Sequence, residues 1–102
     1  MYKIFISELA HDDLENIVSY ISIDLENPSA AANFLNEVEK CYNYLKINPS
    51  MYEKCNDVIL NKESYRKATI KNYVLVYKID ELKSVVIIYR IFYGGQNYLR
   101  LI

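Results

Sequence analysis

The chain of 102 residues has no tryptophan, one histidine, two cysteines, two glycines and two prolines, and each scarcity excludes something. With His11 alone, neither a histidine-built metal site nor a histidine-pair acid–base mechanism can be assembled, and His11 is expected on a helix surface. Cys41 and Cys55 fall in different elements without CxxC spacing, so both are expected to be reduced and structural. Gly94-Gly95 stands without further glycines and cannot form a phosphate-cradling loop. Paired catalytic carboxylates and a Ser/His/Asp set are also missing, and no metal or cofactor is implied. No apolar run approaches the ~18 residues that a bilayer requires, and residues 1–6 lack the long apolar core of a signal peptide. The expectation is a cytoplasmic protein with no membrane segment.

What is present is a core-forming composition. Hydrophobic residues make up 52% and charged residues 25%, enough for one globular domain over 1–102 and too apolar for a disordered tail. The net charge of −1 hides an asymmetry. Residues 1–60 carry four basic and ten acidic side chains, a net of −6, whereas residues 61–102 carry eight and three, a net of +5. A basic half in a small domain is the electrostatic footprint of a polyanion or an acidic protein partner, although solvated surface charge produces the same count.

Periodicity divides the chain into an α+β order. Residues 2–6 read as a strand, and Ser7 is placed to cap a helix beginning at Glu8. Ala10, Leu14, Ile17, Val18 and Ile21 form one helical stripe ending near Ile23, with Glu8, Asp12, Asp13 and Glu15 in the first turns expected to face water. Asn27-Pro28 opens a second helix, whose stripe of Ala31, Phe34, Leu35, Val38, Cys41, Tyr42 and Leu45 is stopped by Asn48-Pro49. Val58-Ile59-Leu60 reads as a short strand or a packed loop. Three strands follow, 65–70, 73–79 and 85–92, with connections short enough for hairpins. The expected fold class is α+β: an antiparallel helical hairpin on one face of a curved, mainly antiparallel four-stranded sheet.

Val85 to Ile88 and Tyr73 to Val76 are apolar on both alternating faces, which marks strands covered on both sides. A single helical hairpin covers one. The second face is therefore expected to be closed in part by the terminal Tyr98 to Ile102 segment and otherwise by an amphipathic acidic partner or a second copy of the chain.

The ordered set of Ala10, Leu14, Ile17 and Tyr20, then Asn27-Pro28 with Ala31-Ala32, then Tyr65-Arg66-Lys67, Asn72-Tyr73, Tyr77, Arg90-Ile91-Phe92 and Gly94, resembles the RelE/ParE toxins of type II toxin–antitoxin systems, on the ParE side. The resemblance spans nearly the whole chain. It implies a toxin neutralised by a cognate antitoxin, whose target is DNA gyrase or the ribosome with its mRNA; the face left open by the hairpin adds the expectation of a homodimer or a hetero-oligomer with the antitoxin. Where many relatives read roughly R-I-F-H-G-R-R-D-Y, this chain has Tyr93 for the histidine, Gly95 and Gln96 for two basic residues and Asn97 for the acid. Those departures weaken a nuclease most.

Cleavage of RNA by its own 2′-OH needs a base, an acid and cations for the charge on phosphorus. For a nuclease the catalytic candidates are Arg66, Arg90 and Tyr93. For target or nucleic-acid binding they are Arg66, Lys67, Lys71, Arg90, Tyr93, Tyr98 and Arg100. Tyrosine and lysine titrate near 10, so proton transfer by Tyr93 or a lysine requires a strongly shifted pKa. Arg90, on a strand of apolar neighbours, must reach the sheet edge or be paired. Tyr73, Tyr77 and Tyr89 are expected to pack in the core. Three functions from different classes follow: a gyrase-directed toxin without catalytic residues, a ribosome-dependent mRNA endonuclease, and a non-toxic interaction module.

Overall fold

The computed structural model describes residues 1–55 and 58–95, the side chains of Val58 and Ile59 excepted. Strand β1 (Lys3–Ile6) leads into helix α1 (Glu8–Ser19), and helix α2 (Pro28–Ile47) follows. A short helix α3 (Val58–Lys62) precedes strands β2 (Arg66–Ile70), β3 (Tyr73–Asp80) and β4 (Val85–Tyr93). The sheet order is β1-β4-β3-β2, with β1 parallel to β4 and the other pairs antiparallel. This is the expected α+β class.

Local chemistry sets the helix ends. The Ser7 hydroxyl accepts the Ala10 N–H at 3.0 Å and donates to the Tyr89 carbonyl at 2.7 Å, so one side chain caps α1 and ties it to β4. Asn27 accepts the Ala30 N–H at 3.1 Å, and Pro28 occupies the first turn of α2. Beyond Ser19 the first helix widens into a π turn over Tyr20–Asp24, where the Leu25 N–H reaches the Tyr20 carbonyl at 3.0 Å. The wider turn buries Ile21 and turns Tyr20 outward.

The main core lies between the hairpin and one sheet face. Ala10, Phe34, Val38 and Leu45 pack there against Leu75, Tyr77, Val86 and Ile88. Leu35, expected in the buried stripe, is instead exposed on α2. His11 is exposed, 3.3 Å from Glu15, and both cysteines are buried thiols.

The second face differs from expectation. Val58-Ile59-Leu60 belongs to α3, and Leu60, Cys55 and Tyr65 cover Val76 and Phe92 on the side away from the hairpin. The sheet is therefore covered on both faces over its centre, by one short helix that five residues of ambiguous periodicity did not reveal. The expected cover by Tyr98 to Ile102 lies outside the described residues. No helix among the described residues is long and apolar enough to cross a membrane.

Three tyrosines packed in or against the core give the fold an alkaline limit. Burial pushes Tyr42 and Tyr52 up to about 12, and Tyr77 higher still, against the nearby charge of Arg66; the Tyr77 hydroxyl donates to the Pro49 carbonyl at 2.7 Å. Above pH ~10 the unfolded tyrosines lose protons that the folded ones keep, so stability present below that pH falls as pH rises through the raised values. Among the described residues the Tyr42 hydroxyl is buried with no hydrogen-bond partner. Tyr42→Phe is expected to leave neutral-pH stability unchanged or raise it by up to about 1 kcal/mol, and to flatten the alkaline decline. Thermal melts between neutral pH and pH ~11 read both effects.

Candidate functional site: a groove between the first helix and the end of the sheet

β1 pairs with β4 only as far as Ile88, so the rest of β4 would present an open edge. α1 closes it. The Asp13 carboxylate accepts the Ile91 N–H at 3.0 Å and both Nε and Nη2 of Arg90, at 2.8 and 2.9 Å. Only 14% of the Asp13 side chain and 16% of the Arg90 side chain remain exposed, so the bidentate pair works with little solvent screening. The bond to Asp13 raises the Arg90 pKa further, and the guanidinium also lies 5.1 Å from the centre of the Phe92 ring. Asp13 was expected to face water; it faces the strand.

A bulge puts Arg90 where it is. Val76 lies opposite Arg90 and Tyr77 opposite Ile88, leaving Tyr89 as the extra residue. Val86 and Ile88 point to the hairpin, whereas Arg90 and Phe92 fall in phase with Val76 and Val74 on the other face. Uninterrupted alternation would put Arg90 on the face of Val86 and Ile88; the bulge moves it to the other.

Beside the Asp13–Arg90 pair opens a groove of about 780 Å³, walled by Asn16, Ile17 and Tyr20 on one side and by Tyr73, Ile91 and Tyr93 on the other. Tyr93 is 54% exposed and meets the Tyr73 ring edge-on at 6.0 Å. Burial first, then the neighbouring Tyr20 and Tyr93 hydroxyls, pushes the Tyr73 hydroxyl up. The turn after Tyr93 needs its glycines for close approach. A Cβ on Gly94 would come within 3.1 Å of the Asn72 carbonyl, and one on Gly95 within 2.7 Å of the Tyr93 ring.

Of the residues singled out in the sequence, Arg90 and Tyr93 meet at this groove. Arg66 does not. It sits on β2, where its guanidinium donates to the Tyr52 carbonyl at 2.6 Å and the Ser50 carbonyl at 3.4 Å, holding the chain that follows α2. Lys67 lies in register with Val76 and Arg90 on the face away from the hairpin, two strand spacings, roughly 9.6 Å, from Arg90. Lys71 is exposed at the β2–β3 turn in left-handed backbone, φ 54°. Tyr98 and Arg100 lie outside the described residues. Asp13, Asn16, Tyr20 and Leu25, which also line the groove, were not singled out as site residues. Asp13 had a signal: it is three residues after Ala10 and four before Ile17, on the buried stripe.

Residues 4–98 match the family described as the ParE toxin of the type II toxin–antitoxin system parDE. The chain belongs to the ParE toxin family. No curated protein matches it in sequence. Among solved structures, a chain of the chromosomal ParDE system of Pseudomonas aeruginosa is 15% identical, with a TM-score of 0.70 over 91% of this chain and 96% of that one. A chain of the RelBE2 complex of Mycobacterium tuberculosis is 20% identical, with a TM-score of 0.63 over 90% and 96%. The isolated RelE toxin of Escherichia coli is 14% identical, with a TM-score of 0.65 over 99% and 93%. At these identities the likeness is one of fold. ParE family toxins and RelE share the helical hairpin on a four-stranded sheet seen here.

Proposed function

We propose that this ParE family toxin arrests growth in the cytoplasm by binding DNA gyrase, has no catalytic residue of its own, and is held inactive by a cognate antitoxin. The observation that supports a protein target over RNA cleavage is the engagement of its two key cations. Arg90 is committed to Asp13, so a phosphate would have to displace a carboxylate from it, and Nη1 of Arg66 is turned to the Ser50 and Tyr52 carbonyls. A shifted tyrosine points the same way. Tyr73, which lines the groove, is raised chiefly by burial, away from the range where a hydroxyl passes protons at neutral pH. What the groove offers is aromatic surface suited to a protein.

Incubating the chain with gyrase and supercoiled DNA, and separately with translating ribosomes and message, tests this reading. Gyrase-dependent DNA cleavage, suppressed by adding the antitoxin, is the expected result. Message cut at codon boundaries would replace it with the endonuclease, and no effect in either assay would leave an interaction module.

A further inference from the structure

The two edges of the sheet are treated differently. Along β2 the Lys67 N–H donates to the Glu53 carbonyl at 3.2 Å and Lys54 bridges to Arg66, so the preceding segment covers that edge. On β1 the Lys3 and Ser7 amides point inward, donating to the Ser84 and Ile88 carbonyls at 3.0 and 2.9 Å. Alternation then turns the N–H and C=O groups of Ile4 and Ile6 outward. An open groove of about 750 Å³ runs beside them, flanked by Glu39, Tyr42, Asn43 and Lys46 of α2. On the opposite face Phe5 is 60% exposed, and Leu9 just beyond the strand is 57% exposed. Among the described residues this edge has no strand beside it, and an unpaired edge with apolar side chains at both faces is a template for another strand.

We propose that this edge receives a second copy of the chain, β1 against β1 and antiparallel, around a two-fold axis at Phe5. The proposal does not depend on the toxin's target. With the axis there, Ile4 faces Ile6 of the second copy as a hydrogen-bonded pair, and the symmetric pair repeats it, so the outward groups of both isoleucines are satisfied. Phe5 then faces Phe5 of the second copy in a non-hydrogen-bonded pair, Cα atoms ~4.5 Å apart, which places two exposed rings in contact. Charge selects the same orientation. Lys3 and Lys46 lie at the start of β1, where the Tyr2 N–H bonds to the Lys46 carbonyl at 2.9 Å, and Glu8 and Asp12 follow its other end. Antiparallel pairing sets each basic end beside an acidic one, whereas parallel pairing sets like against like. The two sheets become one of eight strands, and the two-fold closes the assembly at two copies. A four-residue strand buries little area, so association is weak and concentration-dependent.

Sedimentation of the full chain from about 5 to about 500 μM should show the mass rising from one chain toward two and no further. Phe5→Cys should form an intermolecular disulfide under mild oxidation, since the facing Cα atoms lie within disulfide reach, and faster than Ile47→Cys, a more exposed position away from the axis. Cys41 and Cys55, both buried, do not compete. Phe5→Lys should remain monomeric with an unchanged circular dichroism spectrum. A wild-type chain of single mass across the whole range, assembly beyond two copies, or cross-linking of Phe5→Cys no faster than of Ile47→Cys would each overturn the proposal; the cross-linking comparison decides even if Phe5→Lys folds poorly.

Discussion

Asp13→Ala is expected to destabilise the chain by about 3 kcal/mol, which for a domain of this size lowers the melting temperature by on the order of 15 °C. The carboxylate accepts three hydrogen bonds, from Arg90 Nε, Arg90 Nη2 and the Ile91 N–H. Removing it takes the carboxylate from a guanidinium that is 16% exposed and uncovers a backbone amide at the end of β4. Exposure of a seventh of each partner places the loss at the low end for a buried pair. The companion variant separates charge from packing. Asp13→Leu with Arg90→Met removes both charges of the pair, and should recover about half of the loss because the Ile91 N–H is still left without its carboxylate acceptor. Urea denaturation of the wild type, Asp13→Ala and the double variant measures both changes. A loss below about 0.5 kcal/mol for Asp13→Ala would show that the pair is a surface contact and that Arg90 is available to an external anion.

How far the fold could be read in advance depended on the length of each pattern. The long stripes of α1 and α2, the capping side chains Ser7 and Asn27, and the three apolar strands announce themselves because each is set by local chemistry repeated over several turns or pleats. α3 is five residues long, too short for a helical period to separate from a buried strand, and it was this element that covered the second face. The site was half legible. Arg90 and Tyr93 were identified by residue type and by resemblance, and both line the groove. Arg66 was read outward from its basic surroundings, yet it turns to the Ser50 and Tyr52 carbonyls, a contact set by a loop conformation no periodicity encodes. Asp13 was assigned to water because acids in a first turn usually complement the helix dipole, although its spacing from Ala10 and Ile17 put it on the buried side. The β4 bulge then reversed which face Arg90 and Phe92 occupy, and one inserted residue leaves no mark in an unbroken apolar run.

Tyr93→Ala should lower target binding and growth arrest by roughly 10- to 100-fold while changing stability by no more than about 1 kcal/mol. The ring is 54% exposed, so its truncation takes little from the core. As an aromatic anchor at the mouth of a groove of about 780 Å³, it has the position and the amphipathic surface that dominate protein interfaces. Tyr93→Phe discriminates between the two chemistries. If the ring anchors a protein, phenylalanine keeps most of the activity; if the hydroxyl carries a proton in RNA cleavage, phenylalanine loses nearly as much as alanine. Gly95→Val supplies an independent check. Its Cβ would fall 2.7 Å from the Tyr93 ring, which must swing away, so a variant that leaves Tyr93 in place should still reproduce much of the alanine defect. Full activity in both Tyr93→Ala and Gly95→Val would remove Tyr93 from the binding surface, and would leave Tyr20 and Leu25 as the groove's remaining exposed apolar contacts for a target.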